Sequence, residues 1–232
     1  MSSVAGKTAL ITGASRGIGL AISDALFDNG AHVVRLARSL SPASSERRTD
    51  FACDVTKEHD VRTTMLQVVS ELGAPDIVIN NAGTFMLKPL VETSKAQFER
   101  NLAINLTGPF LVLRELLPHL IKRDRAHIVT IGSIADHVPF PGNAAYGASK
   151  YGLRGLHEVL KRELSGTDVR TTLVSPGPTD TSLWDELSSE EGSDLVDRAD
   201  MLQVQDVAEA VLFAVTRPPR ANVDLIHISP AV

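Results

Sequence analysis

Thr8-Ala9-Leu10-Ile11-Thr12-Gly13-Ala14-Ser15-Arg16-Gly17-Ile18-Gly19 is the stretch that decides the fold. Its first five residues read as a short buried strand, which breaks into a glycine-rich turn. Leu20 to Phe27 then reads as a helix ended by Asn29-Gly30, and His32-Val33-Val34-Arg35-Leu36-Ala37 as a second strand. The order strand, glycine turn, helix, strand is a βαβ unit, in which a helix N-terminus can receive a phosphate. Glycine supplies positive φ for the turn and lets the backbone approach a pyrophosphate.

Outward from this unit the alternation continues. Ser39 to Thr49 reads as a polar loop, Phe51-Ala52-Cys53 as a brief strand ended by Asp54, and Lys57 to Leu72 as a helix with Val61, Met65, Val68, Val69 and Leu72 on one face. Asp76 to Ile79 is the next strand, followed by Asn80-Asn81-Ala82-Gly83. Phe98, Leu102, Leu106, Phe110, Leu113 and Leu117 mark one long helix. Ala126 to Ile131 is a strand ending in Gly132-Ser133, and a helix carrying Tyr146 runs to Leu164. Val169 to Val174 is followed by Ser175-Pro176-Gly177-Pro178. Thr181 to Asp200 is polar and irregular, with Leu183, Trp184 and Leu187 as apolar points. Val204 to Thr216 is a helix and Val223 to Ile228 a last strand. This pattern predicts an α/β fold: a doubly wound parallel sheet between helices, in three layers, as one domain over residues 1–232.

Bulk properties narrow the function. The chain has 232 residues, 43% hydrophobic and 22% charged, enough for one full core. A net charge of -5 gives no electrostatic case for nucleic acid or an anionic membrane as partner. Leu102 to Leu113, broken by Asn105, Thr107, Gly108 and Pro109, is too short and polar to span a bilayer. The start lacks the pattern of a signal peptide. The single cysteine, Cys53, cannot form an internal disulfide and reads as a core residue. The seven histidines have no metal-ligand spacing, so no metal site is expected. A cytoplasmic protein is the expectation.

Ligands of such sheets bind beyond the carboxyl ends of the strands. The glycine turn, Ala37-Arg38, Asp54, Asn80 to Gly83, Ser133 and Pro176-Gly177 all follow strands, where one ligand would meet them together. Tyr146 and Lys150 are four apart, on one face of a helix. A free phenol titrates near 10 and a free lysine near 10.4, so neither is a useful base alone at neutral pH. A neighbouring ammonium favours the phenolate and is expected to lower the tyrosine pKa, so that the pair can exchange a proton with a carbonyl or alcohol.

With these residues in view, the chain resembles the short-chain dehydrogenase/reductase family over nearly all its length. Thr12 to Gly19 looks like the TGxxxGxG cofactor turn and Asn80-Asn81-Ala82-Gly83 like the NNAG motif. Asn105, Ser133, Tyr146 and Lys150 fall at the catalytic tetrad. Pro176-Gly177-Pro178-Thr179-Asp180-Thr181 looks like the segment holding the nicotinamide carboxamide. The resemblance implies a Rossmann-type fold and a cofactor site built from Gly13, Ser15, Arg16, Gly17, Ile18 and Gly19, from Ala37 and Arg38, from Asp54 and Val55, from Asn81, Ala82 and Gly83, from Tyr146 and Lys150, and from Pro176, Gly177, Thr179 and Thr181. Where NAD-preferring members carry an acidic residue at the end of the second strand, this chain has Ala37-Arg38. With Arg16 as a second guanidinium, that predicts NADP(H).

In the implied mechanism Tyr146 is the general acid of reduction, Lys150 lowers its pKa and binds ribose hydroxyls, and Ser133 donates to the carbonyl oxygen. Asn105 lies four residues before Pro109, which has no N–H to offer its carbonyl. The freed carbonyl could hold a relay water, or the kink could serve packing alone. The substrate pocket is expected from Ile134 to Phe140, Phe85, Met86 and the Leu183-Trp184 loop, which could act as a lid; Asp136 and His137 could contact a polar substrate there but read rather as solvent-exposed. The substrate is expected to be a ketone, a 3-oxoacyl thioester or a hydroxy acid. The competing reading is a non-catalytic NADP(H)-binding redox sensor. The resemblance implies assembly through the helices carrying Asn105 and Tyr146, where the small-residue surface of the second suits close packing, so a homodimer or homotetramer is expected.

Overall fold

The computed structural model describes residues 3–186 and 197–231. Eight strands form one sheet: β1 (Thr8–Thr12), β2 (His32–Ala37), β3 (Ala43–Ser45), β4 (Arg48–Ala52), β5 (Ile77–Asn80), β6 (Ala126–Ile131), β7 (Val169–Pro176) and β8 (Leu225–Ile228). Their order is β3-β4-β2-β1-β5-β6-β7-β8, parallel except for β3 against β4. Among the described residues, six α-helices flank it: α1 (Gly17–Asp28), α2 (Glu58–Leu72), α3 (Lys95–Leu102), α4 (Gly108–Leu120), α5 (Ala144–Glu163) and α6 (Val204–Val215).

Strand side chains alternate between two cores, as the period of two requires. Leu10, Val34, Leu36, Val78 and Ile128 join α2, α4 and α5 on one face. Ala9, Ile11, Val33, Ile79, Val129 and Val174 join α1 and α6 on the other. Cys53 is a buried member of the first core, as expected, and burial pushes its thiol pKa up.

Two expectations need correction. Residues 39–49 do not form a plain loop: Ala43–Ser45 adds an exposed antiparallel edge strand, and β4 begins at Arg48, not Phe51. The polar composition hid a strand held at a sheet edge, where alternation is not needed. The single long helix from Phe98 is α3 and α4 joined by a π-turn, Ala103–Thr107. The Gly108 N–H donates five residues back, to Ala103. Pro109 cannot donate to Asn105, and the backbone widens by one residue to absorb the loss. Leu187 and the rest of 187–196 lie outside the described residues.

Candidate active site

β1 is flanked by β2 on one side and β5 on the other, so the chain winds outward in opposite directions from this point. A crevice opens at the carboxyl ends of β1 and β5. Gly13 stands there at φ +67, and a Cβ on it would lie 2.7 Å from Ala82 Cα. A Cβ on Gly19 would lie 2.4 Å from the Gly13 carbonyl oxygen. Thr12 Oγ1 accepts the N–H groups of Asn81 and Ala82, each at 3.0 Å. Asn81 Nδ2 donates back to the Thr12 carbonyl at 2.9 Å, so the two turns are stitched together. α1 then begins at Gly17 with no side-chain cap and no acidic residue in its first turn. Its first N–H groups and positive dipole end are free for an anion. The cradle has no room for a Cβ and offers backbone donors, which fits a dinucleotide pyrophosphate.

The crevice holds a cavity of ≈ 1100 Å³. Every catalytic and cofactor-binding residue expected from the sequence lines it except Asn105. Its charged lining among the described residues comprises Arg16, Arg38, Arg100 and Lys150 against one carboxylate, Asp54. Arg16, Arg38 and Arg100 are exposed at its rim, and among the described residues none of the three is in an ion pair. Asp54 Oδ1 accepts from Thr56 N and Thr56 Oγ1 at 3.0 and 2.7 Å. Burial pushes its carboxyl pKa up, but the Thr56 hydrogen bonds and the Arg38 charge outweigh that and hold it low. Asp54 therefore caps a turn and also walls the cavity.

Some lining residues escaped the sequence reading. Arg100 and Ile104 line the cavity from α3 and the π-turn. They are four apart, on one face of the helix, and no motif singled out that face. Ser229 and Pro230 line it too, and a Cβ on Gly177 would meet Pro230 Cδ at 3.2 Å. The signal was topological: a last strand parallel to the others must end at this edge.

Tyr146 and Lys150 come from the first turns of α5 and point into the same cavity. Lys150 Nζ lies 5.7 Å from the Tyr146 ring centroid and donates to the Ile131 carbonyl at 3.0 Å. The electrostatic expectation is corrected here. Burial pushes Tyr146 up to about 12, Ser133 pulls it down less, and the Asp136 charge adds to the rise. Burial likewise brings Lys150 down to about 8, against an opposing pull from Asp136. The geometry is as expected, but desolvation dominates both groups.

Ser133 is buried at the end of β6. Its Oγ accepts the Ala135 N–H at 3.2 Å, which leaves the hydroxyl proton free to donate. Asp136 does not face solvent. It is 1% exposed, and its carboxylate accepts from Ser175 Oγ at 2.5 Å, from Ser133 N at 3.3 Å, from His137 Nδ1 at 2.7 Å and from Arg154 at 3.2 Å. His137 turns away from the cavity and stacks on His227, with centroids 4.2 Å apart. The turn at 134–136 rolls Asp136 inward, where only four donors make a buried carboxylate tolerable. Of Ile134 to Phe140 only the two end residues line the cavity, and Met86 does not. Phe85 does, packing edge-on against Tyr146 at 4.9 Å and tilted against Trp184 at 5.0 Å.

Asn105 stands behind the cavity, fully buried. Its Oδ1 accepts from Thr84 N at 2.8 Å, and its Nδ2 donates to Thr84 O at 3.0 Å and Ser149 Oγ at 2.9 Å. The side chain thus ties the loop after β5 to α5.

The model of the short chain dehydrogenase family matches residues 7–192. The chain belongs to the short-chain dehydrogenase family. It is 33% identical to an uncharacterised oxidoreductase of Staphylococcus epidermidis, over 99% of this chain and 100% of the relative. It is 34% identical to a farnesol dehydrogenase of Aedes aegypti, over 97% and 96%. Among solved structures it is similar to the closed form of a serine dehydrogenase complexed with NADP+, at TM-score 0.86 and 27% identity, covering 96% of this chain and 94% of that one. A metagenomic short-chain oxidoreductase in complex with NADP superposes at TM-score 0.81 with 30% identity, covering 100% of both chains. This is thus a Rossmann-fold chain of an oxidoreductase family. Among the described residues no helix is long and apolar enough to cross a membrane, and no group of three metal-binding side chains occurs.

Proposed function

We propose that this short-chain dehydrogenase is an NADP(H)-dependent reductase of carbonyl compounds, also able to run as a secondary-alcohol dehydrogenase. The observation that carries the reading is one cavity shared by Ser133, Tyr146 and Lys150 at one end and the open glycine cradle at the other. When bound, the nicotinamide supplies or takes the hydride. Tyr146 gives its proton to the carbonyl oxygen; held up at about 12, it is a phenol at neutral pH, the form reduction needs. Ser133 donates to the same oxygen as charge develops there. Lys150, brought down to about 8 and anchored on Ile131, titrates near working pH and binds the ribose hydroxyls while assisting reprotonation of Tyr146. Asn105 holds the Thr84 loop and α5 in register around them.

Ala37 at the end of β2, with Arg38 next to it and Arg16 in the glycine turn, both exposed at the rim, supports NADP(H) over NAD(H). A 2′-phosphate meets guanidinium groups there and no carboxylate at the strand end. The two NADP-bound structural relatives point the same way. The farnesol dehydrogenase relative fits an alcohol–carbonyl couple. Steady-state kinetics with both cofactors is the test. At least tenfold higher kcat/KM with NADPH is expected; parity with NADH removes the cofactor assignment. Tyr146→Phe is expected to lower turnover more than a thousandfold while NADPH binding persists, and activity within tenfold of the parent removes the catalytic one. A cytoplasmic homodimer or homotetramer remains part of the proposal, tested by sedimentation at micromolar concentration.

A further inference from the structure

Among the described residues, Lys150 is the one charged side chain at the reacting end of the cavity, and the proposed function commits it to the ribose hydroxyls. Phe85, Ile134, Phe140, Leu183 and Trp184 line the cavity that Tyr146 enters, and Phe85 packs against both Tyr146 and Trp184. Trp184 donates its only polar hydrogen, on Nε1, to the Thr179 carbonyl at 2.8 Å, so its indole presents carbon to the cavity. The Asp136 carboxylate and the His137 ring, which could have recognised a polar substrate, are turned into their own network. Lys150 is held by the Ile131 carbonyl, and the three arginines stand at the rim. Residues 187–196, outside the described residues, include no lysine, arginine or histidine in sequence.

From this we infer that the substrate is a neutral ketone or secondary alcohol with apolar, ring-bearing or branched substituents on the reacting carbon, and not a 2-oxo acid, hydroxy acid or hydroxy amino acid. The claim rests on the carbonyl-reductase reading above and narrows it. A carboxylate beside the reacting carbon would be stripped of water next to aromatic faces, and with Lys150 committed to the ribose no other cation among the described residues replaces the lost solvation. A flat or branched apolar group instead fills the space between Phe85, Trp184 and Phe140 and gains from ring contact.

Matched pairs test it: 1-phenylpropan-2-one against phenylpyruvate for reduction, and 1-phenylethanol against mandelate for oxidation. The neutral member of each pair is expected to have at least tenfold higher kcat/KM. A carboxylate member that matches or exceeds its partner overturns the inference. Trp184 is the only tryptophan in the chain, so quenching of its fluorescence reports occupancy without turnover. Absence of turnover from every pair with either cofactor refutes the reductase reading, while quenching still ranks binding: tighter binding of the neutral members upholds the pocket inference, and equal or tighter binding of the acids defeats it. A neutral member that gives neither quenching nor turnover at millimolar concentration defeats it as well. Phe140→Arg places a cation in this wall and is expected to cut the neutral-to-acid ratio at least fivefold.

Discussion

Ser133 and Asp136 close a small ring: the Ser133 N–H donates to the Asp136 carboxylate at 3.3 Å, and the Asp136 N–H donates to the Ser133 carbonyl at 2.8 Å. The ring fixes the backbone from which the serine hydroxyl reaches into the cavity. Asp136 touches no reacting atom in this arrangement, so it is a positioning residue. Its negative charge also helps keep Tyr146 high. Asp136→Asn is expected to lower kcat about tenfold or more with little change in the KM for NADPH. Removing the charge lowers the Tyr146 pKa, so the rising limb of the alcohol-oxidation pH profile should move to lower pH. A variant that is merely less stable, with an unmoved profile, would argue for packing alone.

Asn105 makes three side-chain hydrogen bonds from a fully buried position. Asn105→Leu leaves the Thr84 N–H and carbonyl without those partners, at roughly 1–3 kcal/mol for each buried group orphaned. Chemical denaturation should therefore show a loss of about 2–4 kcal/mol beside the loss of rate. Rate and stability fall together, because the side chain is a strap as well as a neighbour of the site.

Gly13 permits contact between two loops. Gly13→Ala puts a methyl 2.7 Å from Ala82 Cα at φ +67, where an L side chain is strained. Overpacking costs about 1–3 kcal/mol and left-handed backbone about 1–2 kcal/mol more. Thermal unfolding should fall by several degrees, and NADPH affinity by at least tenfold, since the turn cannot open without moving the cradle.

Ala37→Asp restores a carboxylate at the end of β2. It should raise the KM for NADPH more than tenfold and lower that for NADH, measured side by side. Equal effects on the two cofactors would place the 2′-phosphate elsewhere.

Two buried histidines weaken the fold as pH falls. Burial takes His127 down to about 3 and His157 to about 4. The unfolded chain binds these protons near pH 6.5 and the folded one does not, so their stability contribution is present above that pH and is lost as pH falls toward the folded values. Between pH 6.5 and 5 each should cost up to about 2 kcal/mol. The unfolding midpoint should drop over that interval, and His157→Gln should flatten the drop.

The sheet was legible because β1, β5 and β6 are runs of apolar residues that only a doubly covered strand uses, and because glycines mark where backbone must approach backbone. The site was legible for the same reason: residues just past parallel strands converge whatever lies between them. What failed was local. Ala43–Ser45 is a strand only because β4 lies beside it, and three small residues carry no periodicity. Asp136 read as exposed because its four partners come from β7, α5 and its own turn, and no spacing in the chain announces Ser175 or Arg154. The sign of the Tyr146 shift failed because a helical i,i+4 rule reports distance, not dehydration.

Trp184 is moored through its indole N–H to Thr179, and Thr179 in turn bridges to Leu202. On the proposed function, the wall that would read the substrate is therefore joined to Thr179, in the segment that would hold the nicotinamide end. Protein engineers seeking a new substrate range would disturb coenzyme retention by diversifying Trp184, whereas Phe140, on a separate loop, offers a dial that turns independently.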